Sequence, residues 1–207
     1  MRILVADDHE VLRKGLLRIL AEKYPGAEFG EAGTTAETMD CLSRRQWDIL
    51  ILDVFMPGRG GLDVLAEANV KYPKLPVLVL SSAPEEQLAL RVLKSGAKGY
   101  LNKQTAAEEL AKAVGKLLSG GRYISPAVAE LLADKAADAA LDPHASLSNR
   151  EFEVLRLLLD GKSIKEIASE LSLSAKTVSA FHARIWEKLR VQNDVEMTRY
   201  ALEHKLV

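Results

Sequence analysis

The sequence lacks the features that mark secreted and membrane-bound chains. Cys41 is its only cysteine, so no internal disulfide can form and the composition fits a reducing compartment. No apolar run approaches the roughly 18 residues that cross a bilayer. Residues 1–6 are followed by two aspartates, a start too short and too acidic for a signal peptide. We therefore expect a soluble cytoplasmic protein that does not bind a membrane.

The chain also lacks an excess of charge of either sign. Its formal net charge is −1 over 207 residues, and residues 147–207 carry ten basic and nine acidic side chains. Chains that bind nucleic acid through overall charge are clearly basic, because they neutralise phosphates. Any nucleic-acid interface in this protein must therefore come from the local placement of its cations.

The first 120 residues alternate apolar runs with segments of helical period. The apolar runs predict five strands, at residues 3–6, 28–30, 49–52, 77–80 and 99–101. Apolar residues at three- and four-residue spacing predict five helices, at residues 11–24, 36–45, 62–71, 85–95 and 105–118. Thr105 and Glu108 predict a capping box at the start of the fifth helix. This alternation favours an α/β doubly wound, five-stranded parallel sheet covered on both faces.

The second part of the chain has no strand pattern. Ser125 and Pro126 predict the start of a short helix, and the composition of residues 135–146 predicts a linker. Helical periods follow, with Ser163 and Ser174 at N-cap positions. The predicted helices span residues 149–159, 164–171, 175–190 and 195–204. The predicted domains are residues 1–121, a short helix and linker over residues 122–146, and a small all-α domain over residues 147–207.

Polar residues follow the apolar runs of four predicted strands. Asp7 and Asp8 follow the first run, Asp53 the third and Ser81 the fourth. Lys103 comes shortly after the fifth. Because ligands of open parallel sheets bind at the carboxyl ends of the strands, we expect these side chains to converge. A single aspartate at a strand end often only caps a helix or forms a turn, but five polar residues at four strand ends favour a site.

The chemistry of this set points to phosphoryl transfer with a metal ion. Clustered carboxylates repel one another unless a cation lies among them, and oxygen ligands suit Mg²⁺. A carboxylate can attack a phosphoryl group to form an aspartyl phosphate. A divalent cation, an ammonium group and a hydroxyl donor would each stabilise the added charge.

Four segments resemble the receiver domains of NarL/FixJ-family two-component response regulators, which have a flavodoxin-like fold. They are residues 5–9 (VADDH), 52–58 (LDVFMPG), 80–83 (LSSA) and 99–103 (GYLNK). The resemblance implies that Asp53 is the phosphoacceptor. It also implies Asp8 as a direct Mg²⁺ ligand, Asp7 as an indirect one, and the backbone carbonyl of Phe55 as a further ligand with Asp53. His9 follows the aspartates and is expected to be solvated rather than a ligand.

The same resemblance implies roles for three residues near the phosphoacceptor. Ser81 would hydrogen-bond the phosphoryl group and Lys103 would pair with it. Tyr100 resembles the switch aromatic that turns inward when Ser81 moves, although an ordinary half-buried strand residue is the alternative. Asn102 and Gln104 depart from the family, which more often has an apolar residue before the lysine and an acidic or small one after it. The glycines at 58, 60 and 61 do not match a phosphate-binding motif and predict a turn.

Nearly all of residues 147–207 resemble a LuxR-type helix-turn-helix DNA-binding domain, with matches at residues 147–155, 161–168 and 173–179. In the predicted helix 175–190, Val178, Ile185 and Leu189 lie on a buried stripe with Phe181. The opposite face has small residues that can approach a major groove and cations that can meet phosphates. The candidate DNA contacts are Lys165, Lys176, Thr177, Ser179, Ala180, His182, Ala183, Arg184 and Lys188. For His182, packing inside the domain is the alternative.

These resemblances imply a transcription regulator that works as a switch. A sensor histidine kinase would phosphorylate Asp53, and the receiver would then release or reposition the DNA-binding domain. The domain would bind inverted half-sites as a homodimer, with the last predicted helix as the dimer contact. The candidate dimer residues are Val195, Thr198, Arg199 and Leu202. No enzyme activity is expected beyond slow self-catalysed phosphotransfer and dephosphorylation.

Three alternatives remain open from the sequence. A haloacid-dehalogenase-like phosphatase also uses an aspartate nucleophile and Mg²⁺, but it usually has a second aspartate two residues later, where this chain has Phe55. A phosphorylation-independent interaction module would keep the acidic residues without using them. The helical domain could also bind RNA in place of duplex DNA.

Overall fold

The computed structural model describes residues 1–56, 60–83, 85–137, 143–204 and 206 of the chain. The chain divides into two compact units, Met1–Ala133 and Asp134–Val207. Within the described residues, each helix is either too short or too polar to cross a lipid bilayer.

The first unit is a parallel sheet with helices on both faces. Its elements are β1 (Arg2–Ala6), α1 (Glu10–Lys23), β2 (Glu28–Ala32), α2 (Thr35–Arg44), β3 (Ile49–Asp53), α3 (Gly61–Lys71), β4 (Val77–Ser81), α4 (Glu85–Lys94), β5 (Gly99–Asn102), α5 (Ala106–Leu118) and the start of α6 (Pro126–Ala137). The five strands are parallel in the order β2-β1-β3-β4-β5. The predicted doubly wound sheet is confirmed.

Successive side chains of each strand point to opposite faces of the sheet. On one face, Ile3, Val5, Ile49 and Ile51 are fully buried in the cluster that α1 and α5 complete. Leu4, Leu50 and Leu52, which face the other side of the sheet, are also fully buried, so β1 and β3 are apolar on both faces. The helices α2, α3 and α4 lie on the second face, and the buried polar residues Asp7, Asp53 and Ser81 lie at the strand ends.

Several strands extend into the polar residues that end the apolar runs. Asp53 still pairs with Leu80, and Ser81 pairs with Asn102, as the last residues of their strands. The sequence pattern predicted shorter strands because it follows side-chain polarity, whereas the ladder depends on backbone hydrogen bonds. The functional side chains are therefore carried on the rigid sheet itself.

The outer edge of β5 is covered by the chain that follows α5. Tyr100 N–H donates to the carbonyl of Tyr123 (3.1 Å), and Tyr123 N–H donates to the carbonyl of Lys98 (3.0 Å). A side chain at Gly99 would place its Cβ 2.9 Å from the Tyr123 oxygen, so this approach needs glycine. The bridge protects an otherwise open sheet edge.

The predicted capping box at Thr105 and Glu108 is wrong. Thr105 has a near-helical backbone conformation (φ −98°, ψ −1°), and its side chain accepts no capping hydrogen bond. Its hydroxyl instead donates to the carbonyl of Asn102 (3.2 Å), in the turn that leaves β5. A capping hydroxyl needs an extended N-cap backbone to reach the next turn, and this turn does not provide one.

The second unit consists of helices. Its elements after α6 are a 3₁₀ turn (Pro143–Ser146), α7 (Asn149–Leu159), α8 (Ile164–Glu170), α9 (Ala175–Leu189) and α10 (Asp194–Glu203). Ser163 accepts from Glu166 N–H and Ser174 from Thr177 N–H, so both predicted N-caps are confirmed. The core packs α7 and α8 against α9, with Phe152, Ile167, Val178 and Ile185 nearly or fully buried.

The segment predicted as a linker is partly helical. The helix α6 continues to Ala137, and the 3₁₀ turn occupies Pro143–Ser146. Alanine favours helix strongly even where no amphipathic stripe is present, which explains the longer helix. The remaining residues of the predicted linker, 138–142, lie outside the described residues.

Candidate functional site

The acidic residues of the first half of the chain meet at one edge of the sheet. Asp7 directly follows β1 and Asp53 ends β3, and these neighbouring strands flank the point where the strand order reverses. One ligand atom each from Asp7, Asp8, His9 and Asp53 lies within 4.8 Å of the others. The predicted convergence of these strand-end carboxylates is confirmed.

The ammonium group of Lys103 lies between two of these carboxylates. Its Nζ is 2.7 Å from Asp7 Oδ2 and 2.7 Å from Asp53 Oδ2. The Lys103 side chain is only 9% exposed, and the two carboxylates are 1% and 2% exposed. Lys103 reaches this position because its N–H donates to the carbonyl of Ser81 (2.9 Å), which holds the end of β5 beside β4.

Burial and charge set the protonation of this group. Burial raises the pKa of Asp53 above its usual value, against the opposing effects of Lys103 and the N–H of Phe55. Burial by itself lowers the pKa of Lys103, but the facing carboxylates of Asp53 and Asp7 outweigh it, so the pKa of Lys103 is raised. The ammonium group contacts Asp7 and Asp53, and the third carboxylate, Asp8, adds negative charge that a further cation would neutralise.

The donor atoms fit a divalent metal ion that prefers oxygen. Asp7 Oδ2 is buried and has no donor in hydrogen-bond geometry, although Lys103 Nζ lies close to it as an ion pair. Such a buried, incompletely paired oxygen is a suitable neighbour for a cation. Asp8 offers a partly exposed carboxylate beside it, and Phe55 N–H donates to Asp53 Oδ1 (3.0 Å), which anchors the loop that carries the Phe55 carbonyl. This set of oxygen ligands is typical of Mg²⁺.

His9 is exposed, as expected, but it is not fully separate from the cluster. Its side chain is 68% exposed, and its Nδ1 lies 2.8 Å from Asp8 Oδ1. The His9 N–H also donates to Asp7 Oδ1 (2.8 Å). His9 therefore orients both aspartates from the rim of the site.

The hydroxyl and the aromatic residue predicted from sequence lie in one buried group. Ser81 is fully buried, and its Oγ accepts from the N–H of Ala83 (3.0 Å), so its hydroxyl hydrogen can still be donated. Tyr100 is 1% exposed, and its hydroxyl donates to the carbonyl of Ala83 (2.7 Å). The half-buried alternative for Tyr100 is therefore wrong, because its ring points inward and its hydroxyl is paired.

Sequence reasoning missed the steric role of the glycines after β3. A Cβ at Gly61 would lie 2.4 Å from Val54 Cα and 2.7 Å from the Asp53 carbonyl oxygen. The start of α3 therefore packs directly on the backbone of the phosphoacceptor candidate. Gly60 has φ +89°, which agrees with the predicted turn, while Gly58 lies outside the described residues.

In the second unit, α9 presents the predicted polar face to solvent. Val178, Ile185 and Leu189 are buried, so the opposite side of α9 is free. The exposed residues of that side are Lys176, Ser179, Ala180, Ala183, Arg184 and Glu187. Lys165 is exposed on α8. The helix thus offers small side chains with cations on either side of them.

Three further candidate DNA contacts have partners inside the unit. Lys188 Nζ lies 2.6 Å from Glu151 Oε2 and donates to the carbonyl of Ser146 (3.1 Å). His182 Nε2 lies 2.6 Å from Asp194 Oδ1, which also accepts from Trp186 Nε1 (3.2 Å). Thr177 shares a hydrogen bond with the N-cap Ser174 (2.7 Å). Lys188 and His182 therefore join α9 to neighbouring elements, whereas Thr177 bonds within the N-cap of α9 itself.

The candidate dimer residues lie on the outer side of α10. Val195 is 80% exposed and Leu202 is 63% exposed, and they are seven residues apart on one helix face. Thr198 and Arg199 are exposed between them. An apolar pair in this setting is an available contact surface.

Comparison with protein families matches both units. Residues 3–115 match the response regulator receiver domain, and residues 145–201 match the bacterial regulatory proteins of the luxR family. The response regulator GacA of Pseudomonas aeruginosa is 32% identical over 209 residues, covering 100% of this chain and 98% of that protein. The response regulator UvrY of Escherichia coli K12 is 32% identical over 208 residues, covering 100% of this chain and 95% of UvrY.

Solved structures of RcsB from Salmonella are similar over nearly the whole chain. One RcsB structure has a TM-score of 0.70 at 27% identity and covers 99% of this chain and 98% of its own. RcsB of Salmonella enterica serovar Typhimurium, bound to a promoter in the presence of the phosphomimetic BeF₃⁻, has a TM-score of 0.69 at 30% identity and covers 97% of each chain.

Proposed function

The chain belongs to the response regulators that join a receiver domain to a LuxR-type DNA-binding domain, and we propose that phosphorylation of Asp53 controls its binding to DNA. The observation that carries this proposal is the buried contact of Asp53 with Lys103 at 2.7 Å, beside the carboxylate of Asp7. A carboxyl group at a sheet edge, with an ammonium group already in place, is equipped to accept a phosphoryl group.

In the proposed reaction, an Asp53 carboxylate oxygen forms a bond to phosphorus as the bond to the donor breaks, and the donor leaves with its electron pair. The donor is a phosphohistidine of a sensor histidine kinase. Lys103 stays against the transferred group and offsets its charge, while the Ser81 hydroxyl donates to a phosphoryl oxygen. Asp8, Asp53 and the Phe55 carbonyl would hold Mg²⁺ directly, with Asp7 as an indirect ligand. The metal would supply charge neutralisation for the phosphoryl oxygens.

The proposed output is sequence-specific binding of duplex DNA by α9. Its small exposed residues are suited to a major groove, and Lys176, Arg184 and Lys165 are free to meet phosphates. RcsB, a similar protein, is described bound to promoter DNA and as dimers on DNA. By analogy, this chain would bind as a homodimer through α10, with Val195, Thr198, Arg199 and Leu202 at the contact.

We expect the protein to act as a regulator and to have no enzymatic turnover of external substrates. Phe55 stands where dehalogenase-like phosphatases usually have their second aspartate, and its side chain cannot donate a proton to a leaving group. We also propose that the protein is located in the cytoplasm, where both DNA and the kinase are accessible.

Labelling with acetyl phosphate and Mg²⁺ tests the phosphoacceptor. Asp53→Asn should abolish labelling, because an amide cannot form the acyl phosphate bond. Asp40→Asn, which changes an exposed aspartate on α2, should label like the wild type. Gel electrophoresis that separates the phosphorylated from the unphosphorylated protein measures the extent of labelling. Mass spectrometry of the labelled peptide identifies the modified residue. Continued labelling of Asp53→Asn at another residue would contradict the assignment.

A further inference from the structure

Both polar ends of the Asn102 side chain have partners. Its Nδ2 donates to the carbonyl of Ala83 (3.3 Å), in the loop after β4. Its Oδ1 accepts from the N–H of Gln104 (2.8 Å), in the loop after β5. One side chain therefore joins the loop that follows Ser81 to the loop that carries Lys103. An apolar side chain at this position could form neither hydrogen bond.

We propose that Asn102 is a positioning residue for phosphoryl transfer at Asp53. It holds the Ser81 hydroxyl and the Lys103 ammonium group in a fixed relation before the donor arrives. This inference rests on the proposed role of Asp53 and adds a residue that does not itself contact the reacting atoms.

The backbone explains why Asn102 is placed to do this. Asn102 pairs with Ser81 in the β4–β5 ladder, and Lys103 N–H donates to the Ser81 carbonyl (2.9 Å). The two groups that would receive the phosphoryl charge therefore lie on either side of Asn102. Beyond the ladder, the strands part into loops, and the Asn102 side chain continues the connection where backbone pairing ends.

The contact of Asn102 also bears on the inward position of Tyr100. The Ala83 carbonyl accepts from the Tyr100 hydroxyl (2.7 Å) and from Asn102 Nδ2 (3.3 Å), which uses both of its lone pairs. The Ala83 N–H in turn donates to Ser81 Oγ (3.0 Å). Either donor alone would still restrain the loop, so Asn102 and Tyr100 support the same arrangement of Ser81.

The location of Asn102 separates its effect from metal binding. In the described part of the chain, the side-chain hydrogen bonds of Asn102 go to Ala83 and Gln104, not to the carboxylates of Asp7, Asp8 or Asp53. Loss of Asn102 should therefore lower the maximal rate of phosphorylation without changing the Mg²⁺ concentration that gives half of that rate.

The test measures phosphorylation of the full-length chain by acetyl phosphate over a series of Mg²⁺ concentrations. Asn102→Leu removes both side-chain bonds and should lower the maximal rate by at least about fivefold, which corresponds to one hydrogen bond of ordinary net strength. The half-saturating Mg²⁺ concentration should stay at the wild-type value. Gln104→Ala is the matched control, because the bond from Gln104 is made by its backbone N–H, and it should react at the wild-type rate.

Asn102→Asp keeps the size of the side chain, removes the donor to Ala83 and adds a negative charge near Lys103. It can still accept from Gln104 N–H. Gln104→Glu adds a charge two residues away on an exposed side chain and controls for that charge. A rate as low as that of Asn102→Leu in Asn102→Asp, but not in Gln104→Glu, would assign the effect to the Ala83 contact. Asn102→Asp also provides the test if the apolar substitution unfolds the receiver. Combining Asn102→Leu with Tyr100→Phe should slow the reaction more than the product of the single effects, because the two donors share one acceptor.

The possible failures are distinguishable. If the wild type is not labelled at Asp53, the proposed function itself is wrong. If the wild type is labelled and both Asn102 variants react at its rate, only the positioning role of Asn102 is wrong. A rise in the half-saturating Mg²⁺ concentration at an unchanged maximal rate would also overturn it, since that result assigns Asn102 to metal binding.

Discussion

At the scale of single residues, the receiver keeps a carboxylate where burial opposes its charge. Asp53 is 2% exposed and lies with Asp7 and Asp8 at one edge of the sheet. Burial raises its pKa, and Lys103 compensates only in part. Such sites commonly sacrifice stability for chemistry, because the charge that reacts is costly to hold without its ligand.

We predict that Asp53→Asn stabilises the metal-free receiver at neutral pH. The folded pKa of Asp53 is raised above its ordinary value of 3.8. The Asp53 carboxyl group therefore favours the folded state fully at a pH below 3.8, its ordinary pKa. This contribution to stability is lost as the pH rises through the pKa of Asp53 in the folded protein. Removing the ionisable group should raise the melting temperature at pH 7 on the order of a few degrees.

Thermal unfolding in EDTA between pH 4 and pH 8 measures this effect. The gain should shrink as pH falls towards 4, where Asp53 is increasingly protonated in the folded and unfolded states alike. Asp40→Asn should show no comparable gain, because Asp40 is exposed. A lower melting temperature for Asp53→Asn at pH 7 would mean that the ion pair with Lys103 outweighs the cost of burial.

At the scale of the secondary-structure element, α9 packs one side against its own domain and leaves exposed the side that we propose binds DNA. Lys188 and Lys176 are both lysines of this helix, but Lys188 pairs with the buried carboxylate of Glu151 while Lys176 is exposed. Burial alone would raise the pKa of Glu151, yet Lys188 and the N-cap Ser148 outweigh it and the pKa is lowered. The pair with Lys188 therefore stabilises the unit at neutral pH and weakens as Glu151 is protonated in acid.

We predict that substitution of these two lysines affects two different properties, stability and DNA affinity. Lys188→Met should lower the free energy of unfolding of the second unit by about 1–3 kcal/mol, because it leaves a buried carboxylate without its partner. Lys176→Ala should leave stability unchanged but weaken binding to all duplexes by a similar factor and reduce the salt dependence. Urea unfolding and fluorescence anisotropy with several duplexes at several salt concentrations measure the two quantities. Unchanged duplex affinity in Lys176→Ala would show that the DNA-binding face is misplaced.

At the scale of the whole molecule, the near-neutral charge of the DNA-binding unit limits what one copy can do. Its ten basic side chains face nine acidic ones over residues 147–207. Two copies on one duplex would double the number of cations near phosphates and steepen the salt dependence. The exposed apolar pair of α10 is the surface that we propose brings the copies together.

We predict that Leu202→Glu prevents this pairing. The phosphorylated wild type should bind an inverted-repeat duplex as two copies, whereas the variant should bind as one, with lower affinity and a shallower salt dependence. Sedimentation velocity and anisotropy titrations provide the measurements. Val70→Glu, the same kind of change at a residue that is 80% exposed on α3, is the control and should behave like the wild type. Equal losses in the two variants would argue against α10 as the contact.

Local patterns determined most of the architecture of this protein. Apolar runs and helical periods predicted all five strands and the helices around them, because burial on one or two faces imposes those periods directly. The strand-end rule also predicted that Asp7, Asp53 and Lys103 would meet, since parallel strands bring their carboxyl ends to one edge. Serines 163 and 174 were recognised as caps because capping involves only neighbouring residues.

Outside the helix caps and the strand-end cluster, only the tertiary structure decided which polar side chains are paired. The contacts of Lys188 with Glu151, His182 with Asp194 and Asn102 with Ala83 join residues 12 to 37 positions apart. No periodicity encodes such pairs, because each depends on the separation of two elements after packing. The turn before α5 likewise set the backbone of Thr105 and removed its capping role. Sequence thus specified where the elements and the site would form, while packing in three dimensions selected the partners that tune them.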